Sequence, residues 1–319
     1  MPAVTIIIVN WNCWDLLEIC LSKLQQQSYQ HFNVLIIDNA SSQAMPDKFA
    51  SRYANVQLVI NTINVGFAAA NNQALKMLVN IDWCVLLNPD AFPEPDWLKT
   101  LVSAAVEHPD YAAFASRQVT ASDSKILDGD GDVYHVSGLI WRDGHGKPIE
   151  HDATKPREIF SACAAAAMYR TDTLLEIGGF DEDYFCYAED VDVGFRLRLA
   201  GYKCLLVPEA VVHHVGSAST GGQQSDFSVY HGHRNVLWTF VKNMPGLLLW
   251  LLLPAHILLT LLTLAVFAAR GQGLVICRAK WDAIKNLPGV WAKRELIQAH
   301  RRVSALEIWR MLDKRLLRR

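Results

Sequence analysis

The first hundred positions alternate between two hydrophobic periods. Short runs rich in β-branched residues, Val4–Val9, Val34–Ile37, Val56–Ile60 and Trp83–Leu87, predict buried strands. Between them Leu17, Cys20, Leu21 and Leu24, then Ala70, Ala74 and Leu78, recur at helical spacing. This alternation with short links predicts an α/β domain, a mainly parallel central sheet covered by helices on both faces. The carboxyl ends of such strands share one edge, where open α/β sheets bind ligands. Here that edge receives Asn10-Trp11-Asn12, Asp38-Asn39, Asn61 and Asn88-Pro89-Asp90. A single Asn or Asp there is as readily a turn or helix cap. Four strands delivering them together favour a polar, acidic crevice.

Further on the pattern becomes more acidic. Asp128-Gly129-Asp130-Gly131-Asp132 looks like a calcium loop, but Val133 and Leu139 fall where such a loop needs Gly and Glu, so it reads as a turn, with contact to a substrate as the lesser alternative. Ser161–Met168 is a run of small residues, suited equally to a pocket wall or a tightly packed strand. The carboxylates between Asp181 and Asp192 exceed what one helix dipole asks of its first turn. Beside Phe180, Tyr184, Phe185 and Tyr187 they suit a site with a positioned general base. His213-His214 follow a predicted strand at Cys204–Val207, and Gly216–Ser228 is long and polar enough for a lid.

Composition narrows the class. The 319 residues are 51% hydrophobic and 19% charged, with mean hydropathy +0.11, which excludes disorder and is too polar for a polytopic membrane protein. Seven cysteines without a C-x-x-C pair read as reduced thiols, and the N-terminus enters its first strand without a basic leader, so a cytoplasmic protein is expected. Arg270–Arg319 holds 13 Lys and Arg against 4 Asp and Glu, a charge of +9 that the rest of the chain offsets with -11. Next to an apolar run, a basic tail points to anionic lipid rather than nucleic acid, for which no motif is present. That run, Leu247–Ala269, has 23 residues without a formal charge, interrupted by Pro254 and His256. It is long enough for a single transmembrane span. Keeping both the basic tail and the N-terminal domain on the cytoplasmic side instead favours a segment that breaks at Pro254 and re-enters, or one lying in the interface. A buried pair of core helices is the alternative. The expected boundaries are therefore 1–243 for the α/β domain and 244–319 for an apolar, membrane-associating segment with basic amphipathic helices.

No G-x-G-x-x-G follows the first strand and no G-x-x-x-x-G-K-[ST] occurs, which argues against dinucleotide and P-loop sites. Asp90 in the crevice could instead hold Mg²⁺ or Mn²⁺ carrying a nucleoside diphosphate.

These residues resemble the family 2 inverting glycosyltransferases of the GT-A fold, most closely the bacterial branch that includes rhamnosyltransferases of cell-surface polysaccharide assembly. The matching pieces are V-N-W-N at 9–12, I-D-N-A-S at 37–41, N-V-G-F-A-A-A-N-N at 64–72, L-N-P-D-A at 87–91, G-G-F-D-E-D at 178–183, Y-A-E-D-V-D at 187–192 and H-V-G-S at 214–217. The resemblance implies that Asp38 reads the nucleotide base, with Asn10, Asn12 and Asn39 at the same donor edge. It puts Asn64, Gly66 and Asn72 on a loop near the ribose and diphosphate, and makes Asp90 the metal-binding aspartate. The family's D-x-D is here Asn88-Pro89-Asp90, one carboxylate fewer, which brings His214 forward as a second ligand. Asp190 matches the catalytic base, with Glu189 orienting acceptor or base.

The implied reaction is inverting, cation-assisted transfer from a nucleotide sugar such as dTDP-L-rhamnose to a glycan, with a lipid-linked acceptor explaining the membrane segment. Such transfer needs a base on one face of the sugar and a cation at the leaving diphosphate. Rival readings are a sugar-phosphate nucleotidyltransferase, which would want a Gly-rich basic loop where Asn10-Trp11-Asn12 stands, and a non-catalytic sugar- or lipid-binding membrane protein.

Overall fold

The computed structural model describes residues 2–47, 49–53, 55–149, 154–216, 222 and 224–315. Strands β1 (Val4–Asn10), β2 (Phe32–Asp38), β3 (Val56–Ile60) and β4 (Trp83–Leu87) are parallel in the order β4-β1-β2-β3, linked by helices α1 (Trp14–Gln25), α2 (Phe49–Arg52) and α3 (Phe67–Leu75). The near-continuous apolar run of β1 follows from burial on both faces. Ile6 and Ile8 pack with Leu17, Leu21 and Trp97 on one side, and Ile7 with Ala70 and Ala74 on the other.

The chain continues through β5 (Ala91–Pro93), α4 (Trp97–Glu107), β6 (Tyr111–Thr120), β7 (Asp123–Gly129), the paired β8 (Asp132–Tyr134) and β9 (Ile140–Arg142), β10 (Arg157–Ile159), β11 (Ala166–Arg170), α5 (Thr171–Glu176), α6 (Glu189–Leu199) and β12 (Lys203–His214). β11 inserts antiparallel between β4 and β6, and β6 runs parallel to β12. The sheet is thus parallel through its first four strands and mixed beyond them.

The predicted strand at Cys204–Val207 is longer than expected. Its register slips between Val207 and Val211, around Pro208, which has no N–H to give the ladder. Beyond this irregularity β12 resumes, pairs with β5 and places His214 opposite Ala91, beside Asp90.

Among the described residues five helices follow: α7 (Asp226–Asn243), α8 (Gly246–Ala269), α9 (Gly273–Lys285), α10 (Leu287–Ala299) and α11 (Ala305–Met311). They build a further core in which Tyr134, Phe160 and Phe195 meet Phe240, Leu249, Leu252 and Ile308. The expected break at Pro254 does not occur, because α8 is one unbroken 24-residue helix through it. Proline removes one intrahelical bond, and the stripe Leu249, Leu252, His256 anchored on the protein holds the helix across that loss. His256 stacks on Phe240 at 4.2 Å and pairs its Nδ1 with the Ser137 carbonyl at 2.8 Å. The opposite face is apolar and open, with Leu247, Leu251, Leu258 and Leu261 all more than half exposed. α8 is therefore not a buried core helix.

Candidate active site

A cavity of about 490 Å³ opens at the carboxyl edge of the parallel strands. Trp11, Asn39, Asn64, Gly66, Asn88 and Asp90 line it from the β1–β4 side, as do Asp132, Arg142, Glu189, Asp190 and His214 from the segments after β6. The α7–α9 layer closes it with Gly232, His233, Leu259, Thr263, Phe267 and Lys280.

The strand-end amides and carboxylates divide into wall and scaffold. Asp38 is buried and accepts from Asn10 Nδ2 at 2.8 Å and Ser41 Oγ at 2.6 Å, so the pair fastens the ends of β1 and β2. Asn12 accepts from the Ser42 and Gln43 N–H groups. Asn39 donates to Asn64 Oδ1 at 2.8 Å and accepts from Val65 N at 3.1 Å, holding the 61–66 loop against the sheet. Asn10, Asn12 and Asp38 are not among the cavity-lining residues. Asn72, expected on the loop, lies on α3, and its amide binds the Phe180 backbone and Glu182 instead. It braces the segment after α5 rather than facing the cavity, because α3 starts at Phe67 and buries its 72 position. Gly66 has φ +86°, and a Cβ there would lie 2.6 Å from the Phe185 ring and 2.7 Å from its carbonyl. Only glycine permits that approach.

The acidic cluster at 181–192 resolves the same way. Asp192 pairs with Arg196 and Lys242 at 2.8 Å each, and Asp181 with Lys242 and Lys293. What remains at the cavity is Glu189 and Asp190, the first two residues of α6. Asp190 accepts from Val191 N at 2.8 Å with one oxygen and from Ala164 N at 3.1 Å with the other. The small-residue run thus does both things considered for it: Cys163–Ala165 form cavity wall and Ala166 and Ala167 pack as β11. Asp132 faces the same region; like Glu189, it has a buried carboxyl oxygen without a hydrogen-bond partner among the described residues. Burial first, and the Asp190 charge second, push both the Glu189 and the Asp132 carboxyls well above the ordinary range.

The approach to Asp190 is strained. Phe185, Tyr187 and Ala188 all have left-handed backbones, with φ of 64°, 69° and 65°. The buried Asn235 amide spans them, donating to the carbonyls of Tyr184, Cys186 and Tyr187 at 2.8–3.0 Å.

The same cavity is lined by Asp90 and His214, whose Oδ1 and Nε2 are 3.4 Å apart and which are both buried. His214 Nδ1 is fixed by Asp128 at 2.7 Å, which turns Nε2 toward Asp90. Burial opposes charge on His214, but Asp128 and Asp90 outweigh it and raise its pKa. Burial likewise opposes charge on Asp128, yet hydrogen bonds from His145 and His214 hold it far below the carboxylate range. The DGDGD segment is therefore no simple turn: Asp128 orients His214, Asp130 forms a buried pair with Arg117 at 2.7 Å, and Asp132 lines the cavity. Asp90, with an imidazole backed by Asp128 and presenting its Nε2 to the same carboxylate, fits a hard divalent cation. Among the described residues no group of three His, Cys, Asp or Glu could hold an ion alone, so phosphate oxygens would complete the shell. Of the suggested lid at Gly216–Ser228, residues 217–221 and 223 lie outside the described residues, as does Ser217 of the H-V-G-S segment.

Sequence reasoning gave no role to Arg142, Asn235 and Lys280, and read Asp128 and Asp132 mainly as part of a turn. Only Asp128 and Asp132 carried a signal, their charge within a Gly-rich segment.

The chain is 28% identical over 254 residues to the N-acetylglucosaminyl-diphospho-decaprenol L-rhamnosyltransferase of Mycobacterium tuberculosis, covering 71% of this chain and 80% of that one. It is 26% identical over 222 residues to rhamnosyltransferase WbbL of Escherichia coli, covering 64% and 80%. Among solved structures it is similar to GalNAc-T7 with UDP, GalNAc and Mn²⁺, at TM-score 0.62 and 14% identity over 76% of this chain and 48% of that one. The mannosyltransferase PcManGT of Pyrobaculum calidifontis with GDP-Man and Mn²⁺ matches at TM-score 0.56 and 18% identity, over 95% and 85%. These likenesses establish the GT-A fold. The description Glycosyl transferase family 2 matches residues 5–178, more than half of the chain, and the protein therefore belongs to that family of glycosyltransferases.

Proposed function

We propose that the protein transfers a sugar, L-rhamnose, from a nucleoside diphosphate donor to a hydroxyl of a lipid-linked glycan, with inversion, at the cytoplasmic face of a membrane. The observation that carries this reading is the placement of Asp190 and the Asp90–His214 pair on one cavity. The named activities of the rhamnosyltransferase relatives support the sugar and the lipid-linked acceptor.

In this reading Asn39, through Asn64 and the glycine turn at 66, shapes the donor side, and Asn88 and Asp90 face the diphosphate. Asp90 and His214 would hold Mg²⁺ or Mn²⁺, which supplies charge stabilisation at the leaving diphosphate when bound. Asp190, its two oxygens directed by the Ala164 and Val191 N–H groups, accepts the proton of the attacking hydroxyl. Glu189 and Asp132, held toward the protonated form, donate hydrogen bonds to sugar hydroxyls. Asn10, Asn12, Asp38 and Asn72 serve as framework for the donor edge.

Residues 1–243 carry the transfer chemistry, and 244–319 seat the enzyme on the membrane while completing the cavity wall. The inner stripe of α8 rests on the protein, so its outer face lies flat in the interface rather than crossing it. Exposed Trp250, Trp281 and Trp291, with exposed Arg278, suit a headgroup boundary.

The test is calorimetric titration of dTDP, UDP and GDP into detergent-purified full-length protein with and without Mn²⁺, followed by transfer from the matching nucleotide sugar. Mn²⁺-dependent binding of dTDP, lost in Asp90→Ala, and product of inverted anomeric configuration support the reading. Binding of none of the three overturns it.

A further inference from the structure

Resting on the lipid-linked acceptor just proposed, one feature of the cavity specifies how that acceptor is held. Lys280 of α9 lines the cavity but is only 6% exposed. Its Nζ donates to the His233 carbonyl at 3.0 Å, and among the described residues no carboxylate lies within ion-pair distance. That carbonyl is inside α7, so it is already the acceptor of a helical bond. An ammonium has three donors and a full charge, and burying it without an anion is costly. Burial alone lowers the Lys280 pKa to about 8, with no neighbouring negative charge opposing the shift.

The surroundings indicate what the missing anion brings with it. The His233 ring packs edge-on against Phe267 of α8 at 4.7 Å. Leu259, Thr263 and Phe267 form the cavity-facing stripe of the helix whose outer face is open apolar surface. A charged head at Lys280 is thus adjacent to an apolar wall belonging to the most hydrophobic helix in the described chain.

We propose that Lys280 binds the phosphate group of a polyprenyl-phosphate-linked acceptor, whose hydrocarbon leaves the cavity along the Leu259–Thr263–Phe267 stripe of α8. The shared chemistry is an anionic phosphate, which a free pyrophosphate or the donor's own diphosphate could also offer, and the test separates the three.

Geranylgeranyl diphosphate and geranylgeraniol are titrated into the full-length protein in detergent, following tryptophan fluorescence. The wild type is expected to bind the diphosphate at least about tenfold tighter than the alcohol, the scale of one charge-assisted hydrogen bond. Lys280→Met is expected to erase that preference, Lys280→Arg to keep it, and Mn²⁺-dependent nucleotide binding to be the same in all three proteins. Equal binding of diphosphate and alcohol by the wild type overturns the proposal without any variant, so a misfolded substitution does not shield it. Displacement of the lipid by an equal concentration of inorganic pyrophosphate overturns it in favour of a free anion. A parallel loss of nucleotide affinity in Lys280→Met overturns it in favour of the donor diphosphate. Nucleotide binding by the wild type reports separately on the glycosyltransferase site, so the two readings fail independently.

Discussion

The side-chain amide of Asn235 donates to the Tyr187 carbonyl at 2.8 Å, fixing from α7 the left-handed turn that leads into Asp190. Left-handed backbone at a non-glycine residue costs roughly 1–2 kcal/mol, and three such residues stand between 185 and 188. Their carbonyls would relax if the clamp were removed. Asn235→Ala is expected to lower kcat about 10- to 100-fold with a smaller change in nucleotide affinity, because the Asn235 amide donates to the turn that leads into Asp190 rather than to the strand-end residues of β1–β4. A measured split between kcat and nucleotide Kd checks this, and equal losses in both would show a general structural role.

Asp190→Asn tests the base directly. The amide keeps the shape of the carboxylate but not its basicity, so transfer is expected to fall about 10²- to 10⁴-fold with nucleotide binding retained. Single-turnover transfer and calorimetry on the same preparation decide it. A variant with near wild-type turnover would remove Asp190 from the mechanism.

Glu189 makes stability depend on pH. Its folded pKa lies above the ordinary glutamate value, so between the two values the folded state binds more protons than the unfolded state. Stability from this group is therefore highest at acid pH and declines as pH rises through the folded pKa. Glu189→Gln removes that decline, and Asp132, shifted in the same direction, keeps part of it. The variant is expected to melt about 2–4 °C above wild type at pH 8, with the gap closing toward pH 5. Thermal scans across that range measure it, and a variant less stable than wild type at pH 8 would show that the carboxyl is ionised and paired.

How far the sequence foresaw the molecule depends on the range of each interaction. The strands β1–β4, the α/β alternation and the polar strand ends follow from local periodicity, and so does the appearance of Asp90 and Asp190 at element boundaries. The family reading excludes the nucleotidyltransferase and non-catalytic alternatives by membership. What local pattern could not supply were contacts between distant segments. Asp128 reaches His214 across 86 positions, and Asn235 reaches Tyr187 across 48. Asn10 and Asp38 satisfy one another, which a list of polar strand ends cannot reveal. Asn72 went to the wrong structural role because its helix begins inside the motif. Pro254 looked like a break because the tertiary contacts of His256 and Leu252, which hold α8 straight through it, are invisible in hydropathy.

The outer face of α8 yields the last expectation. Leu251, Leu258 and Leu262 are exposed on a helix whose opposite stripe is anchored on the protein. An interfacial helix gains about 25 cal/mol for each Å² of apolar surface it buries, and neighbouring basic groups add a salt-sensitive attraction to anionic lipid. The wild type is expected to co-sediment with phosphatidylglycerol-containing vesicles, more weakly with phosphatidylcholine alone, and to be released in part by about 0.5 M salt. Leu258→Glu combined with Leu262→Glu is expected to weaken vesicle binding at least about tenfold, since each change replaces buried hydrocarbon by a charge at the bilayer boundary. Nucleotide titration of the same variant should match wild type, because neither side chain lines the cavity. A helix that crossed the bilayer would instead resist salt and carbonate extraction altogether, and that result would require α8 to leave the surface on which Leu249, Leu252 and His256 now rest.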